Sequence, residues 1–230
     1  MDPRVAATAM TGSISVLLAD DQELFRSGVA VIVDAQVGMS VVGAAADGSE
    51  AVRLVDELAP DVVLMDIRMP GMDGVEATRQ IFLPERVNRR PKPVRVLVLT
   101  TFNLDDRAAT AIRYGASGFL LKDTTPVMLR DAIRTVHSGN AVLAPPDLTT
   151  LMDHHFRAPV PVPEAYLALT DKERDVFTAA ARGLSNAEIA AKVFASESTV
   201  KTHIGAILRK LALRDRVQIV VFAYEHGLVG

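Results

Sequence analysis

VVLMD, at residues 62–66, is four apolar residues closed by a carboxylate, and the chain repeats that design with variations. VLLA at 16–19 runs into Asp20 and Asp21, SVVGAA fills 40–45, RVLVLT at 95–100 ends on Thr100, and GFLLK at 118–122 ends on Lys122. Short, nearly continuous apolar runs separated by longer amphipathic stretches are the pattern of strands buried on both faces, so they predict a parallel sheet with helices on either side. Five β/α units fit, forming a doubly wound α/β domain over 14–140. Helix starts are expected at Ser49, at Asn103, and at Thr125, whose successor Pro126 suits the first helical position.

The ends of these runs carry the chemistry. In an open parallel sheet the ligand site lies beyond the carboxyl ends of the strands, where the strand order reverses. That rim gathers Asp20, Asp21, Asp66, Thr100 and Lys122. Three carboxylates close together repel one another, so they require Lys122, a hard divalent cation, or both. Oxygen donors with no His or Cys beside them select Mg²⁺ or a similar ion such as Mn²⁺. A carboxylate next to such an ion can act as a nucleophile towards phosphorus and form an aspartyl phosphate, while Lys122 and the Thr100 hydroxyl neutralise and hydrogen-bond the phosphoryl oxygens. The competing reading has each Asp merely capping the helix that follows, and it leaves the set on successive strands unexplained.

Composition bounds the alternatives. The 230 residues include no Cys and no Trp, and 49% are apolar. This excludes disulfides, thiolate nucleophiles and Cys-based metal centres. The apolar runs fall far short of the ~20 residues that span a bilayer. The first 13 residues lack the apolar centre of a signal peptide and read as a flexible tail. A cytoplasmic protein without membrane contact is expected.

Residues 141–166 hold Pro145, Pro146, Pro159, Pro161 and Pro163 and read as a stiff extended linker. His154 and His155, beside Asp153, are read there as an exposed polar pair rather than a metal site. From residue 167 strand signals stop. Thr170 with Glu173, and Ser185 with Glu188, fit the capping box, and Ser196 starts a third helix. Short helices joined by tight turns give a small all-α helix-turn-helix domain over 167–230. Its third helix carries Val200, Ile204, Ile207, Leu208 and Leu211 on one stripe and leaves Thr199, Lys201, Thr202, Gly205 and Arg209 on the other faces. The segment from Ser196 to Arg216 has five basic residues against two acidic ones. A helix start with Ser198, Thr199 and Lys201 suits phosphate and base-edge contacts in a major groove.

LLADDQELFRSG, VVLMDIRMPGMDGVEA, VLVLTTF and GASGFLLKD resemble the signature segments of response-regulator receiver domains. The C-terminal segment from Leu169 resembles the LuxR-type DNA-binding domain, and the pair resembles a NarL/FixJ-type two-component response regulator. The resemblance implies Asp66 as phosphoacceptor, served by a partner sensor histidine kinase. It implies Asp20, Asp21, Asp66 and the main-chain carbonyl of Arg68 as the Mg²⁺ site, Lys122 as the phosphate-binding lysine, and Thr100 with Phe119 as the switch pair. It further implies Lys201 and Thr202 as base readers, with Ser198, Thr199, Arg209 and Lys210, and His203 when protonated, as further contacts to double-stranded promoter DNA. A homodimer on activation through the last helix is expected, with RNA polymerase a further candidate partner. Asp123 stands where many receivers have Pro, Gly205 where some relatives carry a long basic side chain, and residues 84–93 look longer than the usual connection and read as a surface loop. Two other readings stay open at this point: a Mg²⁺-dependent phosphotransferase or phosphatase acting on small substrates, and a constitutive DNA-binding protein with an inert receiver.

Overall fold

The computed structural model describes residues 12–101, 106–140 and 160–229. Asn103, most of the expected tail and linker, and the His154–His155 pair therefore lie outside the described residues. The five apolar runs form the strands β1 Ile14–Ala19, β2 Met39–Ala45, β3 Val62–Asp66, β4 Arg95–Thr100 and β5 Gly118–Leu121. All pair in parallel, in the order β2-β1-β3-β4-β5. Strand alternation sorts their side chains into two cores. Val63, Met65, Val96 and Val98 face one side of the sheet, and Leu64, Leu97 and Leu99 face the other. Every residue of β3 is buried, which is why that run reads as uniformly apolar.

Among the described residues, six helices accompany the sheet: α1 Glu23–Asp34, α2 Gly48–Leu58, α3 Gly74–Ile81, α4 Pro84–Val87, α5 Asp106–Tyr114 and α6 Pro126–His137. Thr125 caps α6 as expected, accepting the Met128 amide at 3.3 Å. For α2 the cap is Asp47 rather than Ser49. Its carboxylate accepts the Glu50 amide at 2.9 Å, and Gly48 is the first helical residue. The 84–93 segment is also more ordered than a surface loop. It contains α4, and the guanidinium of Arg90 is tucked against the Ile81 carbonyl at 2.6 Å and the Asp56 carboxylate at 2.8 Å.

The C-terminal unit comprises α7 Glu164–Leu167, α8 Asp171–Ala181, α9 Asn186–Val193, α10 Glu197–Lys210 and α11 Arg216–Glu225. Both expected capping boxes close, Thr170 with Glu173 and Ser185 with Glu188, and Ser196 caps α10 through the Thr199 amide. The core holds Phe177, Ile189, Val200, Ile207 and Ile219. Tyr166 packs edge-on to Phe177 at 5.2 Å, and the Val160 amide donates to the Glu225 carbonyl at 2.7 Å, so the packed unit begins before residue 167.

Candidate functional site

The sheet order reverses between β1 and β3, and the acidic residues sit at that point. Asp20 follows β1, Asp66 ends β3, Thr100 ends β4 and Lys122 follows β5. Asp20, Asp66 and Thr100 are buried, and Asp21 is exposed beside them. Carboxylate oxygens of Asp20, Asp21 and Asp66 all lie within 4.8 Å of one another. The Lys122 ammonium reaches both buried acids, at 2.6 Å from Asp20 and 2.9 Å from Asp66, and lies 4.7 Å from the Phe25 ring centroid.

These contacts set the protonation balance. Burial pushes the Asp66 carboxyl above its ordinary range, Lys122 opposes that shift, and Asp20 adds to it. Burial alone would lower Lys122, but the carboxylates of Asp20 and Asp66 more than reverse this and hold it raised. The Arg68 main chain meets Asp66 through its amide, which donates to the carboxylate. Gly74 makes this close approach workable: its amide donates to the Ile67 carbonyl at 2.9 Å, and a Cβ there would stand 1.9 Å from the Asp66 carbonyl oxygen. Thr100 lies opposite Leu121 in register, and Val98 lies opposite Phe119, so Thr100 and Phe119 project on the same face of the sheet.

In the C-terminal unit, α10 buries Val200 and Ile207, its C-cap Leu211 is buried as well, and Ile204 and Leu208 pack at the edge of the core. Ser198, Thr199, Lys201, Thr202, Gly205, Arg209 and Lys210 are exposed, and His203 is half-buried. Four of these side chains are engaged within the domain, and the Ser198 and Thr199 hydroxyls each pair with the Ser196 hydroxyl at 2.8 Å. The Thr202 hydroxyl donates to the Ser198 carbonyl at 3.0 Å, and the Lys210 ammonium binds Glu173 at 2.6 Å. Lys210 thereby ties α10 to the start of α8.

Residues 16–134 match the response regulator receiver domain family, and residues 167–223 match the LuxR family of bacterial regulatory proteins. Over 220 residues the chain is 41% identical to YxjL of Bacillus subtilis, an uncharacterized transcriptional regulatory protein, covering 94% of this chain and 97% of that one. The chain belongs to the NarL/LuxR response regulators. This response regulator is also 40% identical over 220 residues to the B. subtilis transcriptional regulatory protein LiaR, covering 94% of this chain and all of LiaR. Among solved structures it is similar to the response regulator ChrA of a heme-sensing two-component system. That likeness has 34% identity and a TM-score of 0.50, and covers 95% of this chain and 100% of ChrA. No described helix of the response regulator is long and apolar enough to cross a membrane.

The receiver and the output unit of this response regulator are docked on each other. Val217, Val220 and Val221 of α11 are buried in the same cluster as Val96, Val98, Ala108 and Ile112 of the receiver. Asp215, the cap of α11, is fully buried, accepts the Ser117 hydroxyl at 2.7 Å and the Gln218 amide at 3.2 Å, and has its carboxyl pushed up by burial. Gln218 Nε2 donates to the Ile112 carbonyl at 3.3 Å, and Arg95 Nη2 donates to the Arg214 carbonyl at 3.1 Å. The Arg214 guanidinium stacks on Phe82 at 3.8 Å. The last helix, expected as a dimer face, is thus covered within the chain. Sequence reasoning missed this use of Ser117, Arg95 and Asp215. One signal was present: RVQIVVFAYE is apolar around most of its circumference, as a helix buried on two sides must be.

Proposed function

We propose that this response regulator takes a phosphoryl group on Asp66 from a sensor histidine kinase, and that this event governs dimerisation and binding to promoter DNA. The convergence of Asp20, Asp21, Asp66 and Lys122 on one rim supports this reading above all. An oxygen of Asp66 attacks phosphorus in the kinase's phosphohistidine. The new P–O bond forms as the P–N bond breaks, and the imidazole leaves with the electron pair and takes a proton from solvent. Lys122 lies where it can neutralise phosphoryl oxygens, and the Thr100 hydroxyl, on the rim at the end of β4, can donate to one.

The oxygen-only donor set fits a hard divalent cation. Asp20, Asp21, Asp66 and the Arg68 carbonyl would hold Mg²⁺ or Mn²⁺, which when bound supplies charge neutralisation for the transferring group.

A phosphoryl group drawing on Lys122 and Thr100 changes the rim at the end of β4. Phe119, on that face, packs against the cluster that also holds Val217, Val220 and Val221. Release of α11 then exposes a face for a second copy, and two output units on a two-fold axis read half-sites about 10 bp apart. Lys201 and Thr202 are the base readers in this scheme, Ser198, Thr199, His203 and Arg209 further DNA contacts, and Lys210 a backbone contact once freed from Glu173. The protein acts in the cytoplasm, and RNA polymerase would be its partner at the promoter.

Acetyl phosphate with Mg²⁺, followed by intact mass, is expected to add one phosphoryl group to the native chain and none to Asp66→Asn. A gel shift with and without that treatment tests the switch, and equal affinity in both states removes it.

A further inference from the structure

Where the two domains meet, a cleft of about 430 Å³ opens between the start of β4, the end of α6 and the outer face of α10. Arg95 lines it from the receiver and Lys201 from the output side, with Asn140 and Asn186 completing the polar wall. Arg214 borders it too, but its guanidinium is turned onto Phe82 and Gly115, which do not line the cleft. No acidic side chain lines it among the described residues. Asp215, next to Arg214 in the chain, is engaged by Ser117 and the Gln218 amide.

The cations of the cleft are left short of partners. Arg95 uses Nη2 on the Arg214 carbonyl, while its Nε and Nη1 are shut away from solvent and unbonded. Arg214 Nε is likewise buried and unbonded. Burial, and secondarily the neighbouring Arg95, bring the Arg214 guanidinium down to about 10 against the pull of Asp215. Asp215 acts on the charge of both guanidinium groups, yet donors on Arg95 and Arg214 stay without hydrogen-bond acceptors, which is costly for buried polar groups, and guanidinium forks match phosphate oxygens in geometry. Recognition of DNA does not account for this arrangement, because Arg95 stands on the receiver and Arg214 stacks on Phe82, also of the receiver.

We infer that this cleft binds a small phosphate-bearing anion, held jointly by Arg95 and Lys201, and that the bound anion keeps the two domains docked. Its volume lies in the range of pockets that take small organic ligands. Since such an anion favours the docked arrangement, DNA binding that needs α10 free is opposed to it by the same factor. That consequence rests on the function proposed above; the binding itself does not.

The test is calorimetric titration of the full unphosphorylated chain, without Mg²⁺ and at ionic strength matched with chloride. One titrant is inorganic pyrophosphate and the other a nucleoside diphosphate. Saturable one-to-one binding is expected, weakened about tenfold or more in Arg95→Gln. Similar affinity for both titrants assigns the inorganic diphosphate moiety as the ligand, and tighter binding of the nucleotide assigns a phosphate ester. Hydrogen exchange on the native chain gives a readout independent of the variant: pyrophosphate is expected to slow exchange at 95–96, 138–140 and 214–218. Absence of saturable binding, unchanged affinity in a folded Arg95→Gln, or protection confined to the Asp66 rim would overturn the inference. The titration omits phosphodonor and DNA, so its failure is distinct from failure of the phosphorylation reading.

Discussion

A Cβ on Gly74 would meet the carbonyl of Asp66 itself, a backbone atom that cannot swing aside. The Gly74→Ala substitution is therefore expected to cost about 3 kcal/mol in denaturant unfolding, as overpacking does, and to slow phosphoryl uptake by moving the β3 end. Glu173 offers a residue-scale test of another kind. The Lys210 ammonium first, and then the Thr170 amide, hold its carboxyl down at about 2 from an ordinary 4.5. A depressed carboxylate contributes stability that is present above its unfolded value and is lost as pH falls through the folded one. Glu173→Gln is expected to cost about 1 kcal/mol near neutrality. That difference is expected to shrink between pH 4.5 and 2 when thermal unfolding of the two proteins is followed side by side.

At the scale of elements, α10 divides cleanly into a buried stripe and an exposed face. Lys201→Ala changes only the exposed face. It is expected to leave thermal unfolding unchanged while weakening promoter binding by about 1–3 kcal/mol and relaxing the preference for one base pair of the half-site. Unchanged discrimination among half-site sequences would remove Lys201 from the base readers. The same clarity made much of the fold legible beforehand. Runs such as Val62 to Met65 are apolar at every position because helices cover both faces of the sheet, so periodicity was informative. Asp20, Asp66, Thr100 and Lys122 could be placed on one rim because parallel strands all present their carboxyl ends on the same side. The cap of α2 was misassigned because Asp47 and Ser49 are both good caps two residues apart, and only the backbone, extended at Asp47 and helical from Gly48, selects between them. The docking of α11 was illegible for a deeper reason. Val217, Val220 and Val221 declare that something covers them, and a receiver and a second copy meet that demand equally well.

For the whole molecule, Ser117 and Asp215 form the most buried polar contact between the domains. Ser117→Ala deprives a fully buried carboxyl of its hydroxyl donor, a loss of about 1–3 kcal/mol that falls on the docked state alone. Under the proposed switch, about 1.4 kcal/mol of that loss would translate into roughly tenfold tighter DNA binding by the unphosphorylated protein. A gel shift without phosphodonor checks this, and unchanged affinity would show that docking does not restrain the output unit.

The core shared by the two domains has one further consequence. Parting them bares Val217, Val220 and Val221 together with the small apolar side chains of α5 that they had covered. A molecule opened in this way is not a relaxed pair of beads on a string. It is adhesive on two surfaces at once, so release and assembly become a single event whose balance shifts with how many copies the cell contains.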